Sequence, residues 1–183
     1  MGIFLLAIVL LLVVLVVWVI KTYNNLIVLK ERVFNGKGQI AAQVESRWDA
    51  IKSLIQATKD YAKHEAETLE GVISARVGIS QNTPLKEIEN LNNQLDGVIG
   101  RLLAISEEYP ELKASEVYVK AMDNVDKYED KVRHSRMIYN DVVTKYNRVV
   151  KMFPSNIVAN MFNFEAKEYF EASEGKGDMP SWE

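Results

Sequence analysis

From Ile3 to Ile20 the chain reads IFLLAIVLLLVVLVVWVI, eighteen residues without a charge. As a helix this run spans roughly 27 Å, near the thickness of a bilayer's hydrocarbon core. Ile3 and Ile20 mark its ends and Leu10 lies near its middle. Trp18 and Tyr23 stand where amphipathic rings suit the headgroup region. A cleavable signal would carry a positive region before the run and a small-residue cleavage site after it. Neither is seen, so the pattern predicts a retained single membrane span over residues 1–22.

Beyond Lys21 the period becomes helical. From Ile88 the apolar positions step by three and four: Ile88, Leu91, Leu95, Val98, Leu102, Ile105, Tyr109. A longer series runs Ala121, Val125, Tyr128, Val132, Ser135, Tyr139, Val142, Tyr146, Val149, Phe153, with Ser135 its one polar member. This coiled-coil-like spacing places one apolar stripe along each helix. A third segment, from Ile40 to about Val77, carries Val44, Trp48, Ile51, Ile55, Ala62, Leu69 and Ile73 at wider spacing.

Local chemistry sets the expected boundaries. Thr83-Pro84 reads as an N-cap followed by proline in the first turn. Tyr109 ends its helix, because Pro110 disfavours helical geometry in the residue before it. Ser115 is placed to cap the next helix, which runs to about Met152, and Ser155 to cap a short last helix through roughly Phe170. The tail, residues 173–183, is expected to be frayed. Asn35-Gly36-Lys37-Gly38 is the one breaker cluster after the span, so Gly36 and Gly38 are the candidate hinge, within a juxtamembrane stretch over 23–38. The expected fold is all-α: an N-terminal transmembrane helix, then an elongated antiparallel bundle over 39–172 with three long helices and a short fourth.

Composition narrows the chemistry. None of the 22 Lys/Arg or 25 Asp/Glu lies in residues 1–20, and the net charge of -3 offers no basic field for nucleic acid. With no cysteine, disulfides, thiolate metal sites and cysteine nucleophiles are excluded. His64-Glu65 opens an H-E-x-x-H pattern, but Thr68 fills the second histidine's place, leaving a polar patch with Lys63 and Glu67. His134 reads as a solvated side chain. No phosphate-binding loop or nucleophile elbow occurs. Accordingly no catalytic, cofactor-binding or metal residue is assigned, no cofactor is expected, and the sequence identifies no small-molecule ligand. Tyr139-Asn140 and Tyr146-Asn147 lie one heptad apart, so both tyrosines face one seam with the asparagines flanking it, as a structural polar network. Gly71, Gly97 and Gly100 fall inside helices, where close helix approach or flexibility would explain them. Lys21, Lys30, Arg32 and Lys37 follow the span, and the positive-inside rule then puts the body in the cytoplasm and the N-terminus outside.

Several stretches together resemble one family. They are YNNL at Tyr23–Leu26, YAKHEAETLEGVISAR at Tyr61–Arg76, EEYPELKA at Glu107–Ala114 and YNDVVTKYNRVVKMFPSNIVA at Tyr139–Ala159. After a single N-terminal span, in this order, they are similar to the LemA family of bacterial membrane proteins. The resemblance implies a membrane-anchored, all-helical domain of long antiparallel helices and brings no catalytic residues with it. The chain departs from the family early in its first long helix. An Ala-Trp-rich stretch and a Leu-Ile-Pro-Asn segment are usual there, and this chain has NGKGQIAAQVESRWDAIKSLIQ.

The expected function is that of a non-catalytic, membrane-anchored helical scaffold in the cell membrane. Its partners are the lipid bilayer and either further copies of itself or other membrane proteins. The alternative is an adaptor or sensor coupled to another membrane machine. A metal-dependent hydrolase built on His64 and Glu65 is the remote alternative.

Overall fold

The computed structural model describes residues 1–74 and 78–171, and every regular element among them is a helix. The elements are α1 (Gly2–Thr58), α2 (Lys63–Ser74), α3 (Leu85–Glu108), α4 (Pro110–Lys113), α5 (Glu116–Lys151) and α6 (Ser155–Met161). The expected tail over 173–183 and the end of the segment at Val77 lie outside the described residues.

The chain forms two compact units. One holds Met1–Asn35 with Asn140–Tyr169; the other holds Gly36–Tyr139 and the chain from Phe170. Both α1 and α5 contribute to each.

In the first unit the core draws on Leu26, Leu29 and Val33 of α1, Val143, Tyr146 and Val150 of α5, and Val158 and Ala159 of α6, all buried. Helix α6 is shorter than expected, because Asn163 adopts φ 55° after its last turn. Asparagine tolerates that left-handed geometry better than most residues. The amide of Phe164 then donates to the Ala159 carbonyl at 2.9 Å and that of Asn163 to Asn160 at 3.3 Å. This pairing is a Schellman stop, and buried Phe164 supplies the apolar side chain that commonly accompanies it. From there to residue 171 the described residues form no helix, and the side chain of Asn147 clasps this segment. The Asn147 amide donates to the Lys167 carbonyl at 2.8 Å, and its oxygen accepts from the Lys167 amide at 2.7 Å.

In the second unit, α1 and α5 run antiparallel: Arg47 reaches Glu129, and Gly36 lies against Tyr139. The helix expected to run unbroken from Ile40 to about Val77 stops at Thr58. The Thr58 hydroxyl donates to the Leu54 carbonyl at 2.9 Å, and the Tyr61 and Ala62 amides both return to Thr58. Helix α2 then starts afresh on Ala66, Leu69 and Ile73, which are buried. Lys59 ties the turn to Glu70 at 2.6 Å. At the other end, Tyr109 leaves helical geometry at φ -119°, ψ 86° directly before Pro110, as the proline requires.

Two expected caps act differently. Thr83 makes no side-chain cap to α3; its hydroxyl oxygen accepts from the Ser80 amide at 3.0 Å inside the preceding turn. Ser155 faces backward, donating to the carbonyls of Val149 at 2.6 Å and Met152 at 2.8 Å, so it closes the end of α5 rather than the start of α6.

Candidate functional site

The stripe that α1 turns inward repeats by three and four through Leu26, Leu29, Val33, Gly36, Ile40, Val44, Arg47, Ile51, Leu54 and Thr58, all buried. Arg47 therefore occupies a core position, not the helix surface. Its guanidinium donates from Nη1 to Asn92 Oδ1 at 2.9 Å and from Nη2 to Asp96 Oδ1 at 2.7 Å. Nη2 also lies 3.3 Å from Glu129 Oε2. Three helices of the second unit thus meet at one cation: α1 through Arg47, α3 through Asn92 and Asp96, and α5 through Glu129.

Burying a cation is favourable only where acceptors replace its water. Arg47 is almost wholly enclosed, whereas Asp96 and Glu129 keep about a quarter of their side-chain surface exposed. The carboxylates are thus solvated as well as paired. Nε of Arg47 is buried and finds no acceptor among the described residues. The cluster orients three helices without the geometry of a reaction centre. Nearby, burial together with Glu129, Asp123 and Asp130 raises the pKa of Asp126, with Arg47 opposing them. Burial lowers that of Arg136, against the pull of Asp96 and Glu89.

Sequence reasoning missed this cluster because an apolar-pattern search skips an arginine. Its signal was nevertheless present: Arg47 stands three residues after Val44 and four before Ile51, in step with the stripe.

The residues singled out from sequence are distributed as follows. Ile3, Leu10 and Ile20 are exposed and Trp18 is half-buried. Leu95, Tyr139 and Tyr146 are buried, but Leu91 and Val142 are only half-buried, and their neighbours Asn92 and Val143 take the inward positions. Helix α1 shows no break at Gly36 and Gly38. The glycines instead sit under close neighbours. A Cβ on Gly36 would meet Tyr139 Cδ2 at 3.4 Å, and one on Gly38 would meet Gln81 Cγ at 2.9 Å. Lys37 between them donates to the Thr83 carbonyl at 3.0 Å. Gly71, Gly97 and Gly100 face open space, so close helix approach does not explain them.

His64, Glu65 and Glu67 are all exposed. Among the described residues no three His, Cys, Asp or Glu side chains gather as a metal site. A groove of about 600 Å³ is lined by Lys52, Ser53, Gln56, Ala57, Asp60, Tyr61, Ser115 and Val117. That set lacks a histidine to activate either serine.

Among the described residues one helix, α1, contains a segment long and apolar enough to cross a membrane; it lies near the N-terminus and none of it is buried within the protein. Residues 37–182 match the pattern of the LemA family. The chain belongs to the LemA family. It is similar to Protein LemA of Metamycoplasma hominis, with 26% identity over 156 residues, 82% of this chain and 69% of that protein. An 82-residue part, 45% of this chain, is 32% identical to Magnetosome protein MamQ 2 of Paramagnetospirillum magneticum but covers only 30% of that protein. Magnetosome protein MamQ of Magnetospirillum gryphiswaldense is 30% identical over the same length and also covered to 30%. The LemA match takes in Arg47, Asn92, Asp96 and Glu129, whereas the span precedes it.

Proposed function

We infer that this LemA-family chain is a single-pass, membrane-anchored helical scaffold that acts by contact with other proteins, further copies of itself included, and performs no chemistry. The observation that carries this is the contrast within α1. None of its apolar run is buried within the protein, whereas its later residues form the inner wall of packed helices. Bare apolar surface on that scale is stable in lipid and not in water. Support for a non-catalytic role comes from the Arg47 cluster, whose charged groups are spent on one another. The excess of cations after the span favours a cytoplasmic body and an external N-terminus.

The test has two parts. Alkaline carbonate should leave the full chain in the membrane pellet. Crosslinking in intact membranes should give discrete higher-mass products, and detergent-purified protein should run larger than a monomer at high concentration. A chain released by carbonate removes the anchor. A chain that stays monomeric and crosslinks to nothing removes the scaffold.

A further inference from the structure

The sequence beyond Lys21 contains one other long stretch without charge. Residues 152–164, MFPSNIVANMFNF, run thirteen positions between Lys151 and Glu165. The structure splits this stretch into two faces. Val158 and Ala159 turn inward and are wholly buried, while Met152, Phe153, Ile157, Met161 and Phe162 are exposed, Phe153 to 79%. Nothing in folding requires five large apolar side chains to stand in water at one turn and one short helix.

Their place along α1 is fixed by aromatic contact. The Phe162 ring lies 4.7 Å from that of Tyr23, and the Phe164 ring 5.8 Å from it. Tyr23 is three residues past Ile20, so about 4.5 Å beyond the end of the apolar run. Helix α6 is seven residues long, so it spans roughly 10 Å, and the turn at Met152 and Phe153 is about one such length from Phe162. The exposed apolar face is therefore beside the point where α1 would leave the hydrocarbon. Arg148 and Lys151, in the last turn of α5, and Lys21, two residues before Tyr23 on α1, are exposed cations.

We propose that the α5–α6 turn and the outer face of α6 are a second membrane contact, lying in the headgroup and upper acyl region of the bilayer that α1 crosses. This rests on the anchored reading of α1. The chemistry fits an interfacial element: apolar and aromatic side chains directed outward, asparagine and serine as the polar members, and cations on the flank for anionic headgroups. A second copy of the chain docking on this face would first have to displace lipid from it. With two attachments, the first unit would be held in orientation at the surface as well as tethered there.

The test uses the full chain, which has no native cysteine, in vesicles of phosphatidylcholine and phosphatidylglycerol. A nitroxide is placed singly by Phe153→Cys, Ile157→Cys, Met161→Cys, Glu31→Cys and Leu10→Cys. Collisions are read against oxygen, which concentrates in lipid, and against a water-soluble nickel chelate. The oxygen-to-nickel ratio at 153, 157 and 161 should be several-fold above that at 31 and below that at 10. Equal ratios at 153, 157, 161 and 31 would place the turn in water and overturn the proposal. Weak collision with both reagents at those three sites would show protein cover, a second copy included, and would overturn it too. A low ratio at Leu10 would instead remove the anchor itself. Three separately labelled positions guard against one variant failing to fold.

Discussion

Arg47 shows how one residue decides packing here. Its guanidinium joins α1, α3 and α5 by polar bonds, and its withdrawal would leave Asn92, Asp96 and Glu129 facing a cavity. Arg47→Ala should destabilise the protein by about 3 kcal/mol in denaturant unfolding. That is the low end for a broken buried pair, because both carboxylates retain water. Asp126 works in the opposite sense. Its raised pKa means that folding penalises the ionised form, first through burial and then through Glu129, Asp123 and Asp130. That loss of stability is present at neutral pH and disappears as pH falls through the folded-state pKa. Asp126→Asn should therefore melt slightly above wild type at about pH 7, with the gap closing toward about pH 3. Gly97 and Gly100 cost helix propensity with no neighbour to excuse them. Changing either to alanine should raise stability by about 0.5–1 kcal/mol in the same unfolding measurement.

At the scale of the helix, the three-and-four periodicity carries most of the fold. The α3 stripe was legible because its members are apolar, and Ile88, Leu95, Val98, Leu102 and Ile105 are all buried. The α1 stripe was harder to read because Gly36, Arg47 and Thr58 interrupt it. In α5 the stripe changes register after Tyr139: the sequence offers Val142 and Val143 as neighbours, and only packing selects the second. Val143→Ala should therefore cost about 2 kcal/mol and Val142→Ala under about 1 kcal/mol, read from urea midpoints. The end of α6 was missed for a different reason. Its stop is the left-handed Asn163, and an asparagine within FNFEAKEYF is no stronger a signal than the others in the chain. The clasp of Asn147 on Lys167 is likewise a long-range event that local pattern does not encode.

For the whole molecule, the sequence revealed an apolar segment and a helical body, since a complete absence of charge over residues 1–20 needs no tertiary information. It did not reveal that α1 runs through Asn35–Gly38 as one helix, because glycine reads locally as a breaker and only its neighbours Tyr139 and Gln81 show what its missing Cβ makes room for. If Gly36 is there for close approach, Gly36→Leu should force Tyr139 aside and lower stability by about 1–3 kcal/mol, while circular dichroism stays helical. A gain in stability would mean that the glycine is a spare break in the helix.

The first unit is assembled from two segments far apart in sequence, Met1–Asn35 and Asn140–Tyr169. Synthesis therefore delivers its two halves at different times. At about 5–20 residues per second, the intervening hundred or so residues take roughly 5–20 s to emerge. Through that interval Leu26, Leu29 and Val33 have no partners from α5, although the apolar run preceding them is already available to the membrane. The second unit, whose described core comes mainly from the continuous stretch Gly36–Tyr139, has all of that stretch first. Biogenesis would thus run in a fixed order, with the second unit's continuous stretch available to fold before the first unit is closed by the arrival of Val143, Tyr146 and Val150. A ribosome stalled before Asn140 would leave a nascent chain with a greasy, half-finished collar next to the bilayer, the state in which a chaperone or a misplaced neighbour would meet it.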